Sequence, residues 1–209
     1  MPKFAAGVVK FQQEVFPDNE ALFITCSDSR IETGMLTQSE PGDLFIVRNA
    51  GNIVPPHTTA TGSTTAAIEF ACIALNVPHI VVCGHTECGA MKGAMNLEGL
   101  GSLPHVKEWL SYARAAVDIT KEIGKNLNDH DRNLLLLEQN VILQLAHLRT
   151  HPAVAVRIAR GDLRLHGWVY DIAEGEVLAY DEANNCFEPV SKRYAAEVAK
   201  HLALSHRHD

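Results

Sequence analysis

Ala21-Leu22-Phe23-Ile24-Thr25 runs straight into Cys26-Ser27-Asp28-Ser29-Arg30, and the reading of this stretch decides the fold. A short unbroken apolar run reads as a strand buried on both faces, the habit of parallel sheets. The polar residues that follow then stand beyond a strand's carboxyl end, where open α/β sheets bind their ligands. A second such junction comes later, where Ile80-Val81-Val82-Cys83 leads into Gly84-His85-Thr86-Glu87-Cys88. Two thiols and one imidazole at two strand ends make a donor set that suits zinc. Three protein ligands leave one position open, and an open position implies catalysis.

Outward from these junctions, strands alternate with helical patterns. Strands are predicted over 20–25, 43–48, 79–83, 163–170 and 176–180, the last two forming a hairpin around Gly175. Helices are predicted over 4–16, 31–37, 63–75, 88–96, 103–124, 131–149, 152–160 and 190–204. Asp131 is the expected N-cap of the second long helix, and Gly161 the stop of the helix that Pro152 opens. The order predicts an α/β fold with a mostly parallel central sheet of about five strands, the fifth antiparallel at the edge, flanked by helices. Residues 1–209 are read as one domain, with 1–17 as an N-terminal helical arm and 190–209 as a C-terminal helix and tail.

The bulk numbers narrow the function. The chain has 209 residues, 46% hydrophobic and 21% charged, with a net charge of −7. That acidic balance excludes the basic patch of a nucleic-acid binder. No apolar run approaches a membrane span, and the start, Met1-Pro2-Lys3-Phe4, lacks a secretory apolar region. Five cysteines, an odd number, do not read as a disulfide framework. The expectation is a cytoplasmic protein with reduced thiols. Cys72 and Cys83 read as buried bystanders, and Cys186 as a loop residue.

Asp28 and Arg30 stand two and four residues past Cys26. On an extended path, 26, 28 and 30 turn to one side. The carboxylate can take the fourth metal position and close the site. Alternatively Arg30 can hold it by a bidentate pair, leaving it to orient a metal-bound water.

Cys-x-Asp-x-Arg followed by His-x-x-Cys resembles the β-class carbonic anhydrases. Further stretches agree: Gly42-Asp43-Leu44-Phe45, Val47-Arg48-Asn49-Ala50-Gly51-Asn52, Ile68-Glu69-Phe70, Cys88-Gly89-Ala90-Met91 and His166-Gly167-Trp168-Val169-Tyr170-Asp171. The resemblance runs from about 20 to 180 and looks closest to bacterial and cyanobacterial members. It implies a lyase that reversibly hydrates carbon dioxide to bicarbonate and a proton, by attack of a zinc-bound hydroxide. It implies one zinc per chain on Cys26, His85 and Cys88, an Asp28–Arg30 catalytic dyad, and Asp28 as a fourth ligand only in a closed state. Phe45, Ala50 and Phe70 match positions lining the substrate pocket. A homodimer is implied, with the N-terminal helix wrapping its partner and dimers often pairing into tetramers.

Zinc lowers the pKa of bound water to near 7 in carbonic anhydrases with three histidine ligands; two thiolates donate more charge and work against that acidification. The proton carrier is not legible, although His57 in the Pro55-Pro56-His57 loop is a candidate. Two departures stand out. Members carry a Gly-Gln-x-Pro segment before the first strand, whose Gln contributes to the substrate pocket; no such segment stands here between Pro17 and Ala21, which puts that substrate-side hydrogen bond in question. One branch has a Trp, Arg, Tyr bicarbonate site; Arg48 and Tyr170 match, but Phe23 replaces the Trp. The expectation is an open site at neutral pH without bicarbonate inhibition. Competing readings are a carbon disulfide or carbonyl sulfide hydrolase on the same metal, and a non-catalytic structural zinc module. A thiol redox protein is disfavoured because no Cys-x-x-Cys occurs.

Overall fold

The computed structural model describes residues 19–58, 61–196 and 198–200. The predicted arm at 1–17, the end of the predicted last helix and the C-terminal tail lie outside them. Six strands form one sheet in the order β2-β1-β3-β4-β5-β6: β1 Ala21–Cys26, β2 Leu44–Asn49, β3 His79–His85, β4 Arg164–Tyr170, β5 Val177–Asp181 and β6 Cys186–Pro189. The helices are α1 Thr33–Thr37, α2 Ser63–Ile73, α3 Gly89–Ala94, α4 Pro104–Leu110, α5 Arg114–Ile123, α6 Asp129–Thr150, α7 Pro152–Arg160 and α8 Val190–Arg193. The α/β architecture matches the expectation, with a sheet that is mostly parallel and flanked by helices.

By internal contact the chain forms two compact units, Met1–Val82 with Gln144–Leu165, and Cys83–Leu143 with His166–Asp209. In the first, every residue of β1 is buried. It pairs in parallel with β2, Ala21 against Leu44 through Cys26 against Asn49. α2 buries Thr64, Ile68, Ala71 and Cys72, the stripe that helical spacing dictates, and packs against α7. Arg157 of α7 is buried, and its charge is accounted for. It pairs with Asp162 at 2.9 Å and donates to the carbonyls of Cys72 and Val77 at 3.1 and 2.8 Å. Gly161, at φ 78°, ends that helix in the left-handed conformation.

The last turns of α6 grip the segment after β2. Gln144 Oε1 accepts from the Val54 amide at 2.8 Å. His147 Nδ1 donates to the Val54 carbonyl at 2.7 Å, and His151 Nε2 to the Pro55 carbonyl at 2.9 Å. Burial lowers the pKa of both imidazoles, partly offset by these bonds.

The second unit corrects the sequence reading in four places. The stretch 103–124 is two helices, because the chain tightens into a 3₁₀ turn at Ser111–Ala113. There the Ser111 hydroxyl bonds back to the Glu108 carbonyl at 2.5 Å. Asp131 is not the N-cap of α6; Asn128 is. Its Oδ1 accepts from the Asp131 amide at 2.9 Å while its Nδ2 donates to Asp131 Oδ2 at 2.9 Å, a reciprocal cap one turn earlier. A sixth strand, β6, lies antiparallel to β5 and takes the edge expected for the fifth. Cys186 is therefore its first residue, exposed, rather than a loop residue. The turn that creates this strand is built by Asp181, whose carboxylate accepts from Ala183 N at 3.0 Å and Asn184 Nδ2 at 2.6 Å.

Candidate metal centre

β1 delivers Cys26. The ladder to β2 ends with Ser27 N donating to Asn49 O at 2.9 Å. Past Asn49 the chain turns through Gly51 at φ 83° and Asn52 at φ 48°, a pair of left-handed positions that suits glycine and asparagine. Asn49 closes this turn, accepting from Ile53 N at 2.8 Å and donating to Ile53 O at 2.9 Å. The Gly51 amide donates to Cys26 Sγ at 3.4 Å. A donor on sulfur favours the thiolate, the form a metal requires.

β3 delivers His85, which is fully buried. Its Nδ1 lies 2.8 Å from the Thr86 carbonyl. A carbonyl only accepts, so Nδ1 carries the proton and Nε2 presents a lone pair. That Nε2 is buried and has no hydrogen-bond partner among the described residues, a costly arrangement for an acceptor unless a ligand takes it. Thr86 is fixed in turn: its amide donates to Tyr170 O at 2.9 Å, and its hydroxyl accepts from Ile172 N at 3.0 Å. Glu87 then adopts φ 59°, and Cys88, buried, precedes α3.

The ligand atoms of Cys26, His85 and Cys88 lie within 4.8 Å of one another, and all three residues are buried. Metal bonds of about 2.0–2.3 Å would draw tetrahedral ligands to roughly 3.5 Å from one another. The donor set and the orphaned Nε2 both fit a metal ion.

Asp28 and Arg30 form the expected pair. Arg30 Nε meets Asp28 Oδ1 at 2.9 Å, Nη2 meets Oδ2 at 2.9 Å, and the Arg30 amide adds a third bond to Oδ1 at 3.0 Å. The guanidinium is 42% exposed, so the pair contributes little to stability; its effect is to hold the carboxylate in one orientation. Phe45 and Phe70 come together, ring centroids 5.8 Å apart, with Phe70 51% exposed. Ala50, just past β2, is exposed. Cys72 and Cys83 are buried outside the cluster, and burial pushes the Cys72 thiol up to about 11, against the opposing pull of Arg157. His57 belongs to the grip of α6. Its amide donates to Thr150 Oγ1 at 2.8 Å, and its ring meets His151 edge-on.

Sequence reasoning missed the residues that hold Cys26 and His85 in place: Arg48, Gly51 and Thr86. Arg48 donates to the carbonyls of Cys26, Asp28 and Ile31 at 3.1, 2.6 and 2.8 Å. The signal available was the Gly51-Asn52 pair, which marks a left-handed turn one strand away from Cys26.

Comparison with known proteins now defines the class. The sequence pattern of the carbonic anhydrase family matches residues 21–177. The chain is 43% identical to a carbonic anhydrase of Synechocystis sp. over 195 residues, 87% of this chain and 71% of that protein. It is 43% identical to one of Pseudomonas aeruginosa over 194 residues, 87% and 88% of the two chains. Among solved structures, the β-carbonic anhydrase CcaA superposes with a TM-score of 0.80 at 42% identity, covering 90% of this chain and 98% of that one. A tetrameric β-carbonic anhydrase of the fungus Sordaria macrospora gives 0.70 at 29% identity, covering 90% and 94%. The chain belongs to the carbonic anhydrase family, and within it to the β class.

Proposed function

We propose that the chain reversibly hydrates carbon dioxide to bicarbonate and a proton, using one zinc ion held by Cys26, His85 and Cys88. The observation that carries this reading is the convergence of two buried sulfurs on a buried imidazole whose Nε2 has no other partner. Bound zinc would supply the Lewis acidity that makes water a nucleophile near neutral pH. The protein's own residues do the rest. The Thr86 carbonyl fixes the His85 tautomer, and the Gly51 amide withdraws charge from Cys26, tempering its donation. Asp28, gripped on both oxygens by Arg30, accepts the hydrogen bond of the attacking water and sets its lone pair toward carbon. Phe45, Phe70 and Ala50 supply an apolar wall for a substrate without charge. The proton leaves to buffer.

A carboxylate already engaged by Arg30 supports the open site, with Asp28 off the metal. It also speaks against a closed structural zinc module. We read residues 1–209 as a single catalytic domain that works in the cytoplasm; no helix among the described residues is long and apolar enough to cross a membrane. Ile46, Phe70 and Ile73 are 43%, 51% and 69% exposed, apolar surface that a second copy would cover, in support of a dimer that pairs further into a tetramer. Stopped-flow hydration with and without a chelator tests the activity. Loss on chelation and recovery with zinc is expected; turnover indifferent to metal would refute it.

A further inference from the structure

Beyond Cys26 the chain leaves the sheet. Ser27 N makes the last ladder bond, and Ile31 N returns to Asp28 O at 3.2 Å. Yet this segment carries a metal-binding thiol, the Asp28 carboxylate and the Arg30 guanidinium within five positions. Arg48 on β2, opposite Thr25 in the ladder, reaches across its beginning, middle and end. One guanidinium donates to Cys26 O, Asp28 O and Ile31 O. Arg48 makes no ion pair among the described residues. A cation that meets neutral carbonyls only is being used for geometry, since its charge would be better satisfied by a carboxylate. A planar fork with spread, fixed donors suits three separated acceptors; an ammonium has its three donors on one atom at the end of a flexible stem.

We infer that Arg48 is a positioning residue of the site. It fixes the 26–31 loop so that Cys26 Sγ meets the other two ligands and Asp28 faces the reacting water. It touches neither metal nor substrate and acts through the main chain. The inference rests on the zinc reading above, but its test does not depend on turnover.

The test compares wild type, Arg48→Lys and Arg48→Gln in three measurements of metal and main chain, and then in hydration assays. Zinc loss to a chelator should quicken about tenfold or more in both variants, the usual effect of removing a residue that orients metal ligands. The visible spectrum of the cobalt-substituted protein should shift in both. Amide hydrogen exchange should quicken in 27–31 and stay unchanged in α6 and β4. In hydration assays, kcat should fall about tenfold with KM little changed. Lys restoring all three measurements would make Arg48 a simple charge and overturn the inference. So would zinc loss and spectra equal to wild type. Quickened exchange throughout the chain would assign Arg48 to the fold at large and also overturn it. A wild type without hydration activity would refute the proposed function, while exchange and chelator kinetics would still report on the clamp.

Discussion

The two strand ends that bring Cys26 and the His85–Cys88 pair together are held in different ways. The Cys26 end is held by a side chain: Arg48 reaches over from β2 and gathers three carbonyls, while a loop amide contacts the sulfur. The His85–Cys88 end is held largely by main chain. Thr86 sits in the middle of it, bonded to Tyr170 O and Ile172 N, with its own carbonyl on the His85 ring. A main-chain carbonyl survives any substitution of its side chain, but a guanidinium does not. The Cys26 end is therefore the one that a substitution outside Cys26, His85 and Cys88 can loosen.

The most damaging way to break this contrast is to remove a ligand. Cys26→Ser and Cys88→Ser should both abolish stoichiometric zinc and hydration, whichever end is struck; metal analysis after gel filtration checks it. Asp28→Ala comes next. It removes no ligand, so zinc should stay bound while kcat falls about 10²-fold, within the usual range for a positioned acid–base group. Equal metal content with an unchanged rate would remove Asp28 from the mechanism.

Thr86→Val sharpens the contrast at the His85 end. It leaves the Ile172 amide unsatisfied, which should cost about 1–2 kcal/mol in urea unfolding. The Thr86 carbonyl still holds His85, so zinc retention should match wild type. The smallest effect concerns the grip of α6 on the loop after β2. His147 and His151 titrate below their ordinary value of 6.5 because they are buried. The unfolded chain then binds more protons, so their share of stability is present above 6.5 and lost as pH falls through their lowered values. His151→Gln should flatten the decline of stability between pH 7 and the acid limb relative to wild type, measured with zinc present in both.

Much of this was legible in the residues. The apolar runs before Cys26 and His85 fixed two parallel strands and their functional ends, because a run with no polar alternation has to be buried on both faces. The ligand spacing and the Asp28–Arg30 pair followed from the same stretch. What was not legible depends on chain reversals. The Asn128 cap competed with Asp131, equally able to cap, and nothing local ranked them. β6 is four residues long and ends in Pro189, too short to show alternation. The break at Ser111 comes from one hydroxyl choosing a carbonyl within its own turn. Arg48 was visible as a residue, but its three acceptors are main-chain atoms, which carry no mark in a sequence.

X-ray absorption at the zinc edge of freshly reduced wild-type protein reads the proposed Cys26–His85–Cys88 metal site itself. About one zinc per chain is expected, with two sulfur neighbours, one imidazole nitrogen and one further light atom. A shell of nitrogen and oxygen alone, or protein that hydrates carbon dioxide while holding no metal, would contradict it.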